Sequence, residues 1–225
     1  MYLMPVWSIA WKDILIELRS KEMLTPMFIF GLLVVVIFNF AFEPGSPAAK
    51  ESSPGILWVA ITFAGILGLN RSFALEREED CLLGLVLCPV DRGLIFLGKF
   101  FGNLIFIFIM EAIIVPICAV LFNLPLLSLS WELGLVLILS TLGYAAVGTL
   151  FSAISVHTRA KEVMLPLLLF PIIVPVIIAA IKSTGTIFAG KALADLGPWL
   201  KLLLVFDFIF LVIAFLVFEF VIEEA

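Results

Sequence analysis

Long unbroken apolar runs, without strand-like alternation, organise this chain. They cover residues 23–42, 52–70, 100–122, 133–156, 163–181 and 202–222, with few ionisable groups inside them. A helix needs roughly 20 mostly apolar residues to cross about 30 Å of hydrocarbon. Inside lipid only helices and closed barrels satisfy every backbone group, and barrel strands would alternate apolar and polar positions. The pattern therefore predicts an all-α membrane protein with six transmembrane helices, forming one domain over residues 1–225. The first run follows a charged stretch and lacks a small-residue cleavage site, so it reads as a retained anchor rather than a signal peptide.

Three segments between the runs carry patterns of their own. In residues 1–22, Trp7, Trp11, Ile14, Leu15 and Leu18 fall at helical spacing on one side, with Lys12, Asp13, Glu17 and Lys21 toward the other. This predicts an amphipathic helix lying in the membrane interface. Residues 71–99 contain the charged run Glu76, Arg77, Glu78, Glu79 and Asp80, then an apolar stretch Cys81–Leu87 stopped by Pro89, then Arg92 and Lys99. A short apolar helix bounded by charges and a proline suits docking into a soluble partner's groove; the alternative is a plain solvated loop. Residues 182–201 are unusually apolar for a loop, with Ile187, Phe188, Leu193, Leu196 and Trp199, and are expected to be re-entrant or interfacial.

Composition narrows the class. Hydrophobic residues make up 64% of the 225 and charged ones 14%, which excludes a soluble enzyme or a disordered chain. With 13 Lys+Arg against 18 Asp+Glu the balance is wrong for binding nucleic acid. The cationic residues are distributed unevenly. Lys12, Arg19, Lys21, Arg71, Arg77, Arg92, Lys99, Arg159 and Lys161 fall on one side of the six-span layout, and Lys50, Lys182, Lys191 and Lys201 on the other. The positive-inside bias then puts both termini in the cytoplasm.

Candidate chemistry is sparse. Gly93–Phe100 and Gly185–Ala192 approach the phosphate-binding P-loop pattern, but neither carries its Ser/Thr hydroxyl. Three scattered cysteines make no disulfide framework, zinc site or haem-attachment motif, and the single His157 has no acidic neighbour to orient it. No catalytic residue, metal site or covalently bound cofactor is expected. Ionisable groups within the spans are costly and face a bundle interior or cavity. Glu111 with Asn103, and Asp207 in the last span, could line a pathway or pair between helices, while Glu219 lies near the last span's end. Pro166, Pro171 and Pro175 bend the fifth span, as a gate, a cavity wall or a kinked packing helix. Gly98 and Gly102 form a small-residue pair where another helix could approach closely.

Several of these residues resemble one family. Pro54–Ala60, the Arg71-Ser72-Phe73 step, Pro89-Val90-Asp91-Arg92 leading to Gly98-Lys99, and the Pro166/Pro171/Pro175 helix after Arg159 are similar to CcmB, the haem exporter protein B family of cytochrome c maturation. The resemblance runs through nearly the whole chain. It implies an ABC-2-type permease fold in the bacterial inner membrane, with a separate CcmA-like ATPase subunit hydrolysing ATP and CcmC- and CcmD-like membrane proteins beside it. In that fold residues 71–99 hold the coupling helix, so Glu76, Arg77, Glu78, Glu79, Asp80, Pro89, Arg92 and Lys99 are the expected ATPase-coupling interface, and residues 182–201 are re-entrant. The implied role is haem handling, or release of a haem-loaded chaperone, in a complex with two permease halves, this chain pairing with a second copy or with another six-span partner. A permease of the same type for another cargo, and a stand-alone secondary transporter using Glu111 and Asp207, are the competing readings.

Overall fold

The computed structural model describes residues 3–43, 45–78, 90–124, 131–156, 158, 160–190 and 195–223, with the backbone alone for 3, 75–78, 161, 222 and 223. Seven helices form on these residues: α1 (Leu3–Ser20), α2 (Leu24–Ala41), α3 (Pro47–Glu78), α4 (Arg92–Leu121), α5 (Trp131–Ser155), α6 (Lys161–Phe188) and α7 (Gly197–Glu223). Helices α2 to α7 are each long and apolar enough to cross a membrane. The chain is a multi-pass, all-helical membrane protein, and its six spans match the six apolar runs.

The helices outrun the apolar runs at several ends, for local reasons. Helix α4 opens at Arg92 instead of residue 100 because Asp91 caps it, its carboxylate accepting from the Gly93 N–H at 2.9 Å. Helix α3 starts five residues before its apolar run and continues eight beyond it, to Glu78, over a stretch whose Arg and Glu residues favour helix. The expected independent segment at 182–201 is largely absorbed. Residues 182–188 continue α6 and 197–201 open α7. Ser183 and Thr184 are fully buried, and the Trp58 indole N–H donates to Thr184 Oγ1 at 2.9 Å, which fastens the α6 extension to α3. Gly190, at φ +63°, then ends the helix in the left-handed conformation that glycine adopts without strain. Residues 191–194 lie outside the described residues.

Helices α3 and α5 form the centre of the bundle, with 72% of each apolar window buried against 17% for α2 and α7 at the rim. Lipid removes the hydrophobic advantage of burying one leucine against another, so helices associate through small residues and hydrogen bonds. The central pair is built that way. Ala60 and Ala64 of α3 and Ala145, Ala146 and Ala153 of α5 are almost completely buried. A Cβ on Gly65 would stand 2.6 Å from the Tyr144 hydroxyl, and that hydroxyl donates to the Thr62 carbonyl at 2.8 Å. Around this pair, α2 packs on α3 and α4, α6 on α3 and α5, and α7 on α5 and α4.

Replacing Gly65 with Leu should drive Tyr144 out of its site and destabilise the bundle by about 1–3 kcal/mol, the usual range for overpacking. Gly55→Ala, where an added Cβ meets nothing within 4 Å, should stay within about 0.5 kcal/mol of the parent. Thermal unfolding in detergent reads the difference directly.

Candidate functional site

The junction of α1, α2, α3 and α4 concentrates the buried charge of the described residues. Helix α1 lies on α4 at Gly98 and Gly102, where a Cβ would meet Ile9 Cβ at 2.7 Å and Asp13 Oδ2 at 3.4 Å respectively. The small-residue pair that invited a close helix receives α1. Lys99, between the two glycines, is buried to 1% exposure. Its ammonium meets Asp13 Oδ2 at 3.0 Å, the Ser72 carbonyl at 3.4 Å and the face of Phe73 at 5.2 Å. One turn beyond Asp13, the buried Glu17 carboxylate accepts from the Met23 N–H at 3.1 Å and the Leu24 N–H at 2.8 Å. It thereby caps α2, placing negative charge at the positive end of that helix. Lys21, at φ 56°, makes the left-handed turn that brings the two helix ends together.

This arrangement changes the reading of α1. Asp13 and Glu17, grouped by sequence with a solvated charged face, turn inward with Val6, Ile9 and Ala10. Trp7, Trp11, Leu15 and Leu18 point outward, the two indoles stacked with centroids 6.4 Å apart. A helix that grips protein with one side and offers tryptophan on the other is suited to the headgroup layer.

A second polar feature runs down α5. Thr149 accepts from the Asn103 amide at 3.0 Å, Thr141 donates to Glu111 Oε1 at 2.6 Å, and Ser152 donates to the Leu69 carbonyl. Glu111 is 2% exposed, and its Oε2 is buried with no hydrogen-bond partner. Both Asp207 oxygens are likewise buried, pressed against the Gly143 backbone of α5, where a Cβ on Gly143 would collide with Oδ1. Asn103 and Glu111 thus share the α4–α5 seam but bond at different levels. Asp207 reaches α5 from α7.

The family model for the CcmB protein matches residues 4–223. This chain belongs to the CcmB family. Similar proteins include the "Heme exporter protein B" of Pseudomonas aeruginosa, 29% identical over 71% of this chain and 71% of the relative. That of Rhodobacter capsulatus is 31% identical over 66% of this chain and 68% of its own, and that of Paracoccus denitrificans 29% over 72% and 73%.

Within this CcmB-family chain the sequence-derived site residues divide. Glu79, Asp80 and Pro89, with the apolar stretch 81–87, lie outside the described residues; Glu76, Arg77 and Glu78 form the last backbone turn of α3. Arg92 opens α4, half-buried. Lys99 does not belong to an exposed docking face: it is seven residues into α4, covered by α1, and its charge is spent on Asp13. Of the fifth-span prolines, Pro171 and Pro175 face outward and Pro166 is half-buried, all inside an uninterrupted helix. Sequence reasoning missed Asp13 and Glu17 as structural partners. The available signal was a pair of acids at i and i+4, next to Ile9 and Ala10, on the side of α1 opposite the tryptophans.

Asp13→Ala should strand the Lys99 ammonium and cost about 3–5 kcal/mol, as breaking a buried pair does. The double variant Asp13→Leu/Lys99→Met should recover most of that loss. Unfolding in detergent gives the energies, and protease cleavage at residues 20–23 reports whether α1 has lifted away.

Proposed function

We propose that this chain is the membrane permease subunit of a haem exporter serving cytochrome c maturation, non-catalytic itself and driven by a separate ATPase chain. The observation that carries the reading is the family match over residues 4–223, joined by relatives named heme exporter protein B across about two thirds or more of the chain. In this reading the protein sits in a bacterial inner membrane with both termini cytoplasmic, as the clustering of Lys and Arg favours. A CcmA-like ATPase binds at residues 76–92. CcmC- and CcmD-like proteins and a haem chaperone complete the complex, with two permease copies. Haem is handled by the complex as cargo or released with its chaperone.

The junction supports a mechanical role. A push on the end of α3 or the start of α4 reaches Ser72, Phe73 and Lys99, then Asp13, while Glu17 ties α1 to α2. Helices α1 to α4 therefore respond as one packed body, the usual way a local contact becomes a domain movement.

A tagged chain purified from native membranes in mild detergent should bring down a soluble Walker-type ATPase. Glu79→Lys/Asp80→Lys should lose that partner while keeping the fold. Deletion of the gene should abolish haem-staining c-type cytochromes. Normal staining after deletion would turn the reading toward another cargo, and purification of the intact chain alone would overturn the ATPase-driven mechanism.

A further inference from the structure

Between α2 and α6 the bundle leaves a side groove of about 670 Å³, floored by α3. The two helices each pack on α3 and hardly meet one another, so the groove is a gap that the described chain does not fill. Its residues are sorted by depth. Glu22 precedes the first apolar run, Arg71 follows the second and Glu162 precedes the fifth, which puts all three charges at one membrane surface. Eight residues inward from each stands a phenylalanine, Phe30, Phe63 and Phe170, about 12 Å deeper at 1.5 Å per residue. Their rings make a row from α2 over α3 to α6, with centroids 6.1 Å apart from Phe30 to Phe63 and 5.3 Å apart from Phe63 to Phe170. Phe63, Leu67 and Val163 are exposed along it, so the aromatic end opens sideways to hydrocarbon. The charged end is open too: Arg71 Nε donates to Glu22 Oε2 at 3.0 Å, yet the two side chains remain 36% and 43% exposed.

These two ends restrict the occupant. A partner helix seats itself on small residues, whereas the described lining is mostly Phe, Pro, Ile, Leu and Val, with Ala74 the one small residue and that at the charged end. A water-soluble ligand gains nothing from an aromatic wall that faces lipid. An amphiphile lying parallel to the spans uses both ends. Its head meets charges of both signs, Arg71 beside Glu22 and Glu162. A purely anionic head would face those carboxylates unpaired, whereas a phosphate with a neighbouring ammonium finds a guanidinium for one group and a carboxylate for the other. We infer that this groove binds an aminophospholipid, its phosphate on Arg71, its ammonium on Glu22 or Glu162, and an acyl chain along Phe30, Phe63 and Phe170.

The inference is independent of the cargo and of the ATPase. The described lining holds no His, Cys, Met or Tyr, the usual ligands of haem iron, and a lipid here fills the gap between α2 and α6 whatever the complex moves.

The test uses the full chain in vesicles of phosphatidylethanolamine and phosphatidylglycerol, with one lipid and then the other carrying a mid-chain diazirine. Photolysis of the ethanolamine probe should concentrate cross-links on the peptides holding Phe30, Phe63 and Leu67, about fivefold above the glycerol probe, the size of one modest ion-pair contact. Both probes should label exposed rim positions of α7, such as Leu204 and Phe208, equally. Arg71→Gln should bring the two probes to the same low level in the groove, and since exposed ion pairs add little stability, unfolding in detergent should change little. Should Arg71→Gln nevertheless unfold the chain, Val163→Trp on the exposed lip is the second variant: it narrows the groove, keeps the charges and should cut groove labelling by both probes. Equal groove labelling by the two probes in the parent chain, labelling no denser than on α7, or labelling unchanged in both variants would overturn the inference. So would loss of groove labelling in the intact complex purified with its partners, a result that gives the groove to a protein.

Discussion

Lys99 carries a full charge into the packed junction of four helices, and the surrounding structure is arranged to tolerate it. Its ammonium is met by the Asp13 carboxylate, a backbone carbonyl of α3 and an aromatic face. Desolvating two charges is expensive, and their attraction repays it only with close geometry and further hydrogen bonds. That requirement accounts for the two glycines: bulk at 98 or 102 would hold α1 away and lengthen the pair. It also accounts for the orientation of α1. Once Asp13 is committed to Lys99, the helix can only present its tryptophans outward, and Glu17 falls one turn further on, over the start of α2.

The centre of the bundle follows a different logic. Helix α5 meets α3 through Gly148, Ser152 and the Tyr144 hydroxyl, α4 through Thr141 and Thr149, and α7 through Gly143. One helix thus supplies small contacts to three neighbours, with its polar atoms turned toward them instead of lipid. The rim helices α2 and α7 have fewer neighbours to match and are correspondingly richer in exposed Leu, Ile, Val and Phe.

The spans were legible because hydrocarbon thickness imposes a length on them, and unbroken runs such as 133–156 report that length directly. The Gly98/Gly102 approach was legible for a similar reason, since small residues four apart expose backbone whatever comes to cover it. Partnerships were harder. The polar face of α1 looked solvated because a helical wheel shows a helix to itself, and Lys99 is 86 residues from Asp13. Lys99 itself sits where an apolar run begins, so it was grouped with the charged loop before it. Glu111 announced itself by its cost in mid-span, but neither Thr141 as its partner nor the empty second oxygen could be read from spacing. At 182–201, the apolar residues among glycines suggested a separate re-entrant or interfacial segment. The hydrogen bond to Trp58 instead keeps the helix going.

The separation between Asp13 and Lys99 also has a consequence during synthesis. A ribosome adding about 5–20 residues per second makes α1 roughly 4–17 s before the α4 residues that receive it exist. During that interval Asp13 has no Lys99 to turn toward, and α1 must wait at the membrane surface without unravelling or inserting. Its outward row of Trp7, Trp11, Leu15 and Leu18 gives it a place to wait: the nascent helix can float in the headgroup layer, charges toward water, until the third span arrives and rolls those charges under cover.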